Sequence, residues 1–343
     1  MASPTPTPAP AASAPRDPAQ AASETAERLL ALQAELDAAS PPTNGRAWLG
    51  PLRAAGLARF RALGLPTPRD EAWRKTSLAP LHAARFHLAP ARPVDVALRD
   101  RLAELLPDVP AAAVLVFVDG HHAPELSRIG ELPRGVTVAT LAGAAGEDRA
   151  VLEDHLGRHV DEEQEAFAAL NTALVADGAF VHLQRAVRID APIHVVHLAT
   201  APVGPDGAQA ASFPRTLVVA EAESAAALVE TYAGLGTGQG GYLVVPVAEI
   251  VVAEGAELSH VKLQDEGPGA LHLATMRVHQ AGTSTFGTWA VDLGGRLVRN
   301  YAAVRIDAEG CETSLRGAYV ASGDHHVDNH TYLDHLRPGC HSY

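Results

Sequence analysis

The side chains best suited to chemistry lie in residues 323–343. Five of the seventeen histidines fall there, with several aspartates and one of only two cysteines. Imidazole, carboxylate and thiolate are the groups with which proteins hold iron, zinc or copper. The segment is therefore a candidate metal or partner surface, although a solvated strand face would carry the same residue types. The residues are His325, His326, His330, His335 and His341, with Asp324, Asp328, Asp334 and Cys340.

The same segment alternates as a β-strand does, and this alternation predicts which side chains can meet. Val327 and Leu333 stand at odd positions, so the odd positions of residues 325–335 are expected to face the core. The even positions are expected to face outward. Two polar residues of the odd set, His325 and Asn329, then need hydrogen-bond partners inside the protein.

Six residues are the candidates for a functional site, and none is given a catalytic role. The histidines and the cysteine are predicted to bind iron transiently or to contact a partner. Cys340 and His341 join them because a thiol and an imidazole stand side by side after the Pro-Gly turn at residues 338–339. The candidates are His326, His330, His335, Cys340 and His341, with Asp328 as an interface residue.

Composition excludes several classes of protein. A formal charge of −13, with lysine only at Lys75 and Lys262, argues against binding to nucleic acid or to an anionic membrane surface. No apolar run approaches the roughly eighteen residues of a membrane span, and the N-terminus lacks the pattern of a signal peptide. Two cysteines, Cys311 and Cys340, do not make a disulfide framework. A cytoplasmic location is expected.

Amino-acid composition and hydrophobic pattern divide the chain into four predicted parts. Residues 1–22 are rich in proline and alanine and are predicted to be a disordered tail. Residues 23–110 are predicted to be helical, with Ser23 as an N-cap and a second helix over residues 51–63. Residues 111–178 are predicted to be an α/β connection with a buried strand at 111–118 and one or two helices at 153–176.

From residue 179 to residue 343 the sequence predicts a β-helix core. Short runs of valine, isoleucine and leucine follow one another with few intervals that could hold a helix. A phrase of alanine, glutamate and glycine recurs between such runs, as at residues 253–257 and 308–312. Strand, small-residue turn and strand in repetition are typical of a β-solenoid, and a β-sandwich is the alternative. In the second phrase, Cys311 is predicted to be a small packing residue.

Motifs for other chemistry are missing or weak. Neither lysine stands in a phosphate-binding loop, so this chain is not expected to hydrolyse ATP, and the G-x-S-x-G motif of acyl transfer is absent. The glycine-rich residues 234–238 are not followed by a predicted helix, which favours a turn over a nucleotide site. His194 and His197 have apolar neighbours and are predicted to be structural.

Several motifs together resemble the SufB/SufD family of iron–sulfur cluster assembly, and the SufD branch more than the SufB branch. They follow one another in the family's order from residue 64 onward. They are G-L-P at 64–66 with D-E-A-W-R-K-T-S-L at 70–78, F-A-A-L-N-T-A-L at 167–174 with D-G at 177–178, P-I at 192–193, L-G-G at 293–295 with Arg299, G-A-Y at 317–319, H-V-D-N-H-T at 326–331 with His335, and C-H-S at 340–342.

This resemblance implies a mainly β protein, with a right-handed parallel β-helix preceded by an N-terminal helical or α+β region. It implies a non-catalytic scaffold subunit in a complex with SufB and SufC, in which SufC hydrolyses ATP. It also implies a part in iron entry and no tightly bound cofactor, with iron or a nascent cluster held transiently beside SufB. A homodimer is a further expectation for the chain alone. Trp73, Arg74 and Thr76 are expected to anchor the N-terminal segment.

The resemblance also implies a C-terminal continuation beyond the position of Tyr343. It would carry a lysine-rich strand, a D-D-V-x-C-S-H-G segment and a helical domain that docks on SufC. The family's cysteine and histidine at the SufB interface belong to that continuation and are not placed on Cys340 and His341. A fragment, a truncated product and a shortened member with an altered SufC contact are the three interpretations of the sequence.

Two other classes of function are compatible with the residues. One is a metal-dependent enzyme on a β-helix or β-sandwich, which would need three convergent ligands from the C-terminal His/Asp/Cys residues and an open cleft. The other is a structural homodimer without a metal. Turnover of a substrate by the chain alone would favour the enzyme, whereas dependence on partner chains would favour the scaffold.

Overall fold

An N-terminal helical region precedes a parallel β-solenoid of about four turns, and the protein is mainly β. This confirms the predicted fold class over a sandwich. The computed structural model describes residues 17–39, 48–106, 110–160, 165–235 and 240–343. Among these residues, no helix combines the length and the apolar composition that a membrane crossing requires.

Six α-helices occur in the described ranges, and four of them precede the first long strand. Two short 3₁₀ segments, Glu71–Trp73 and Pro205–Gly207, add to them. The α-helices are α1 (Pro18–Ala39), α2 (Leu49–Leu63), α3 (Ala79–Ala83), α4 (Val96–Leu105), α5 (Gly146–His155) and α6 (Ala166–Leu174).

The strands form two sheets, here called sheet A and sheet B, of ten and nine strands. The first strands are short, and the strands of the solenoid are long. They are β1 (Phe86–Leu88), β2 (Ala113–Val118), β3 (His121–His122), β4 (Arg128–Ile129), β5 (Val136–Thr140), β6 (Ala179–Leu183), β7 (Ile193–Ala199), β8 (Gln209–Ser212), β9 (Arg215–Ala220), β10 (Ala225–Gly234), β11 (Tyr242–Val244), β12 (Val247–Val252), β13 (Glu257–Asp265), β14 (Ala270–Gln280), β15 (Thr285–Asp292), β16 (Leu297–Ile306), β17 (Glu312–Tyr319), β18 (His326–His335) and β19 (His341–Ser342).

Successive coils of the solenoid stack in parallel register. In sheet B, β10, β13, β15, β17 and β19 pair in that order, and in sheet A, β14 pairs with β16 and β16 with β18. The recurrent small-residue phrase forms the turns between the sheets, where Gly255 and Gly310 have φ of 67° and 73°. These positive φ angles are available to glycine without a steric cost.

Several local predictions can be compared with the observed elements. The predicted strand at 111–118 and the second helix are confirmed within two residues, and most strands after residue 179 are confirmed. The prediction of Ser23 as an N-cap was wrong, because α1 already begins at Pro18. Pro246 separates β11 from β12, since proline has no N–H to give to a ladder.

Two predictions fall partly outside the described residues. The proline-rich tail was predicted over residues 1–22, of which 1–16 lie outside them. The glycine-rich turn at residues 234–238 likewise extends into residues 236–239, which lie outside them.

The apolar core has two main parts. One fills the space between sheets A and B and contains Val218, Ile250 and Val304. The other lies between the outer face of sheet A and the helices, where Phe167 and Trp73 pack in the same cluster as leucines of the solenoid strands. The N-terminal helices therefore cover one part of the outer solenoid face.

Arg215, Glu249 and Asn171 form a buried polar cluster, here called the hub, that joins the helices to the solenoid. The Arg215 side chain is 1% exposed and pairs with the Glu249 carboxylate, which is fully buried. Arg215 Nη1 also donates to Asn171 Oδ1 at 3.0 Å, and Asn171 Nδ2 donates to the carbonyls of Pro214 and Val245 at 2.7 Å each. The asparagine of the F-A-A-L-N-T-A-L motif thus binds backbone groups of two coils.

Two glycines of the quoted motifs stand where a side chain would strike the backbone. A Cβ on Gly178 would lie 2.0 Å from the carbonyl oxygen of Arg215, and a Cβ on Gly294 would lie 2.0 Å from that of Glu266. Real Cβ atoms do not approach an oxygen so closely. The D-G and L-G-G motifs are therefore required by close packing between coils.

Candidate functional site

The last strands of both sheets hold the candidate residues. We call β17, β18 and β19, with their connections (residues 312–343), the terminal coil. In β18 the inner side chains are the odd ones: Asn300 Nδ2 of β16 donates to Asn329 Oδ1 at 2.8 Å, and Leu333 packs on the core between the sheets. These contacts agree with the predicted inward direction of Asn329 and Leu333, but Asn329 and Thr331 are exposed and the even residues Asp328 and His330 are partly buried.

The N-terminal region contacts the outer face of β18. The Asp328 carboxylate accepts hydrogen bonds from the Arg299 guanidinium and from the Thr76 hydroxyl. The Arg299 guanidinium also lies 4.0 Å from the centre of the Trp73 ring. His326 Nε2 is 3.3 Å from Thr76 Oγ1. We call these five residues the clasp.

The clasp joins three of the motifs quoted from the sequence. Trp73 and Thr76 come from the D-E-A-W-R-K-T-S-L motif, Arg299 follows L-G-G, and Asp328 stands in H-V-D-N-H-T. The Arg299 side chain is 5% exposed and the Asp328 side chain 16%, so their charges are held in partly desolvated surroundings where pairing matters. The contacts agree with the predicted anchoring role of Trp73 and Thr76.

The six candidate residues lie in two groups along β18. His326, Asp328 and His330 are at the clasp, where His330 Nε2 is 3.2 Å from Asp328 Oδ1. His335, Cys340 and His341 are at the turn into β19, where His335 Nε2 is 3.2 Å from Ser342 Oγ. In the described part of the chain, no group of three or more His, Cys, Asp and Glu side chains is arranged to hold a metal ion. Their role as metal ligands stays a prediction.

Cys340 and His341 differ in their surroundings. The Cys340 thiol donates to the Ala308 carbonyl at 3.0 Å and packs against the core between the sheets. His341, the next residue, is exposed in β19. The two side chains therefore belong to different environments, and His341 with His335 is the more accessible pair.

β18 and β19 are the outermost strands of the described residues, where β18 pairs only with β16 and β19 pairs only with β17. Tyr319 and Tyr332 are 60% and 56% exposed on this coil. Exposed aromatic side chains of this kind are enriched in the contact faces of protein partners.

Beneath the terminal coil, a cavity of about 250 Å³ runs between the two sheets. Small residues such as Ala290 and Gly317 do not fill the space between the sheets. The cavity reaches Tyr319 and Thr331 in the terminal coil. Lys262 contributes a buried ammonium group, which donates to Asn300 Oδ1 at 2.5 Å and to Asp292 Oδ1 at 3.3 Å. The solenoid interior is therefore polar along part of its axis.

A second group of hydrogen-bonded polar side chains lies at the inner end of this cavity. His260 Nε2 is 3.0 Å from Glu230 Oε2, and His260 Nδ1 is 2.8 Å from Thr288 Oγ1. Burial alone would raise the pKa of Glu230, but His260 and the Thr216 hydroxyl together lower it to about 2. The strand alternation at residues 225–234 places Glu230 inside, and this signal was not used in the sequence analysis.

A large cleft on the outer side of sheet A was not foreseen. Its volume is about 1210 Å³, and its walls include Trp48, His159 and His279. The His159 ring stacks on His155 and on His279 with centre distances of 5.3 Å and 5.7 Å. Burial lowers the pKa of His159 to about 4, so this imidazole is neutral at neutral pH. Of these two ring contacts, the sequence could predict only that of His155 with His159, because these residues are four positions apart.

Replacing Thr76 by valine tests the clasp. The variant Thr76→Val keeps the side-chain shape and removes the hydroxyl that donates to Asp328. We expect the free energy of unfolding to fall by about 1.5–3 kcal/mol, because hydrogen bonds to charged groups are worth this much. Hydrogen exchange of the β18 amides is expected to accelerate. Urea denaturation and exchange mass spectrometry measure the two effects.

The matched control is Thr285→Val, at an exposed position of β15. We expect it to change the free energy of unfolding by less than about 0.5 kcal/mol, as is usual for surface substitutions. Equal effects of the two variants on β18 exchange would show that the clasp does not hold the terminal coil.

Comparison with known proteins gives a consistent picture. The model of the SufBD protein N-terminal region matches residues 42–195, and that of the SUF system FeS cluster assembly SufBD core domain matches residues 203–343. The chain is 30% identical over 278 residues to the iron–sulfur cluster assembly SufBD family protein slr0076 of Synechocystis, covering 79% of this chain and 60% of that protein. It is 26% identical over 286 residues to the iron–sulfur cluster assembly protein SufD of Escherichia coli, covering 83% and 63%.

A third relative is the iron–sulfur cluster assembly protein SufB of Bacillus subtilis. It is 22% identical over 206 residues, covering 60% of this chain and 43% of that protein. The chain thus spans about three-fifths of the length of the first two relatives.

Proposed function

We propose that this chain, which belongs to the SufB/SufD family of iron–sulfur cluster assembly proteins, acts as a SufD-like scaffold subunit. The observation that carries the proposal is the match of both family models, with the terminal coil and its exposed tyrosines and histidines as the candidate contact face. A scaffold subunit needs such a face, because aromatic side chains contribute much of the binding free energy at protein interfaces.

In this proposal the partner at the terminal coil is SufB, and SufC supplies ATP hydrolysis to the complex. The sequence contains no phosphate-binding loop of its own, which agrees with this division of labour. The chain itself performs no catalysis.

Iron is the cargo of the proposed site rather than a resident cofactor. His335 and His341 are exposed beside the turn that joins β18 to β19, and neutral imidazole is a suitable ligand for iron. The parallel register places His335 beside the buried Ile306 and His341 beside the exposed Glu312, so each histidine would bind iron singly and the other ligands would have to come from the partner. Binding would therefore be weak in the chain alone and stronger in the complex.

The experiment is co-purification of this chain with SufB and SufC of the same organism, with iron and acid-labile sulfide measured in the product. We expect a stable complex with SufB. The double variant Tyr319→Lys with Tyr332→Lys places charges on the proposed contact face and is expected to weaken SufB binding by about tenfold or more. The double variant His335→Ala with His341→Ala is expected to retain SufB and to lower bound iron.

The matched control for the histidine variant is His279→Ala, on the outer face of β14 and 31% exposed. It is expected to leave both SufB binding and iron content unchanged. Absence of any complex with SufB, or equal binding of the wild type and the lysine double variant, would contradict the proposed scaffold face.

A further inference from the structure

A ladder of small residues runs along one edge of the solenoid, at the turn that precedes each strand of sheet B. The rungs lie directly before β10, β13, β15, β17 and β19, whose first residues are in parallel register. The Ser224 and Ser284 hydroxyls and the Cys311 thiol bind the carbonyl three residues earlier, as Ser284 binds that of Ala281 at 2.6 Å. The rungs are Ser224, Ala256, Ser284, Cys311 and Cys340.

The two cysteines of the protein occupy neighbouring rungs. The His341 amide donates to the Cys311 carbonyl at 2.9 Å, which fixes the two turns side by side. Adjacent strands lie about 4.8 Å apart, within the range of Cα separations that a disulfide spans. The Ala308 carbonyl oxygen lies within reach of both thiols, 3.0 Å from Cys340 Sγ and 3.6 Å from Cys311 Sγ. The nearer acceptor of Cys311 Sγ is the Ala281 carbonyl at 3.1 Å.

The two thiols differ in access to solvent. Cys311 is fully buried, whereas Cys340 is partly exposed after the exposed residues Pro338 and Gly339. Burial raises the pKa of the Cys311 thiol and the neighbouring Cys340 thiol raises it further, while hydrogen bonding from Ser284 lowers it. Cys340 is therefore the thiol that a dissolved reagent meets first, and Cys311 is placed to react second.

We propose that Cys311 and Cys340 are an oxidisable dithiol pair, which a low-molecular-weight disulfide converts into an intramolecular disulfide that locks the terminal coil to the preceding coil. The Cys340 thiolate attacks the small disulfide, forms a mixed disulfide and expels one small thiol. The Cys311 thiolate then attacks the Cys340 sulfur and expels the second small thiol. Overall, two cysteine thiols are oxidised, and one small disulfide is reduced to two thiols.

The pair sits where a disulfide would tie β19 to β17. The bond would join the start of β17 to the start of β19, the last strand of sheet B in the described chain. Residues 312–339, which include β18, would then form a closed covalent loop. The inference does not depend on the proposed scaffold function, because it rests on the ladder alone.

The test is incubation of the chain with oxidised glutathione, followed by intact-mass measurement and peptide mapping without reduction. We expect the mass to fall by two hydrogen atoms and one Cys311–Cys340 peptide link to appear. Hydrogen exchange of the β19 and β18 amides is expected to slow by about tenfold or more, because cross-links of this loop length stabilise proteins to that extent.

Serine variants serve as controls, since serine already occupies two other rungs and fits this turn. With Cys311→Ser, we expect a stable glutathione adduct on Cys340 and no change in exchange at β19. With Cys340→Ser, we expect slow or no modification of the buried Cys311. A wild-type chain that keeps the glutathione adduct, or that forms Cys340–Cys340 dimers instead of the internal link, would overturn the proposal.

Discussion

Replacing Glu249 by glutamine is expected to lower the free energy of unfolding by about 3–5 kcal/mol, the usual effect of removing one partner of a buried ion pair. The Arg215 guanidinium, 1% exposed, would then keep its charge without a counter-charge. Glu249 also accepts hydrogen bonds from the backbone N–H groups of Gly157 and His159, at 2.9 Å and 3.1 Å. An amide in place of the carboxylate would turn one acceptor atom into a donor that faces these donors.

Urea denaturation of Glu249→Gln and the wild type measures this effect. The control is Glu223→Gln, because Glu223 pairs with Arg185 on the surface, with side chains 62% and 64% exposed. Exposed pairs contribute little, so the control is expected to change the free energy of unfolding by less than about 1 kcal/mol. If both variants lose the same stability, the hub does not fasten the helices to the solenoid.

Acidification is expected to destabilise the protein from pH 6.5 downward, and His197 is expected to contribute about 3 kcal/mol of this loss. Its ring is buried between Phe117 and Tyr232, at centre distances of 5.2 Å and 4.9 Å. Burial lowers the pKa of His197 to about 4 from its ordinary 6.5. Between these values the unfolded chain binds a proton that the folded chain does not, so stability falls as the pH falls.

The variant His197→Phe isolates this contribution. Phenylalanine keeps an aromatic ring in the stack and cannot bind a proton. Between pH 6.5 and 4.5 the free energy of unfolding of the variant is expected to depend less on pH than that of the wild type. Carboxylates with lowered pKa, such as Glu230 at about 2, act below this window because their unfolded pKa is about 4.5. Parallel pH profiles of the two proteins would contradict the assignment to His197.

Local pattern predicted the strands well, because each coil repeats a period-two alternation with a small-residue turn. Most strands after residue 179 are found where the sequence predicts short strands, and the buried Cys311 was predicted from its place in the turn phrase. The inner position of Asn329 followed from the same alternation. These features depend on neighbours in sequence, which a pattern records.

Contacts between distant segments could not be predicted in the same way. Nothing near Thr76 indicates that its hydroxyl meets Asp328, because the meeting depends on how the helices cover sheet A. The resemblance gave Trp73 an anchoring role without giving Arg299 as its contact. The start of α1 at Pro18 was missed for a different reason: proline and alanine were taken as signs of disorder, although proline is well tolerated in a first helical turn.

The clasp also has a consequence for the order in which the protein matures during synthesis. Thr76 and Asp328 are 252 residues apart, and a chain grows at roughly 5–20 residues per second. The N-terminal half of the clasp therefore leaves the ribosome about 10–50 s before its other half. During that interval the coils of the solenoid can form one upon another, but the Trp73 ring still lacks the Arg299 guanidinium. Synthesis of β18, rather than of the helices, is thus the event that completes the clasp.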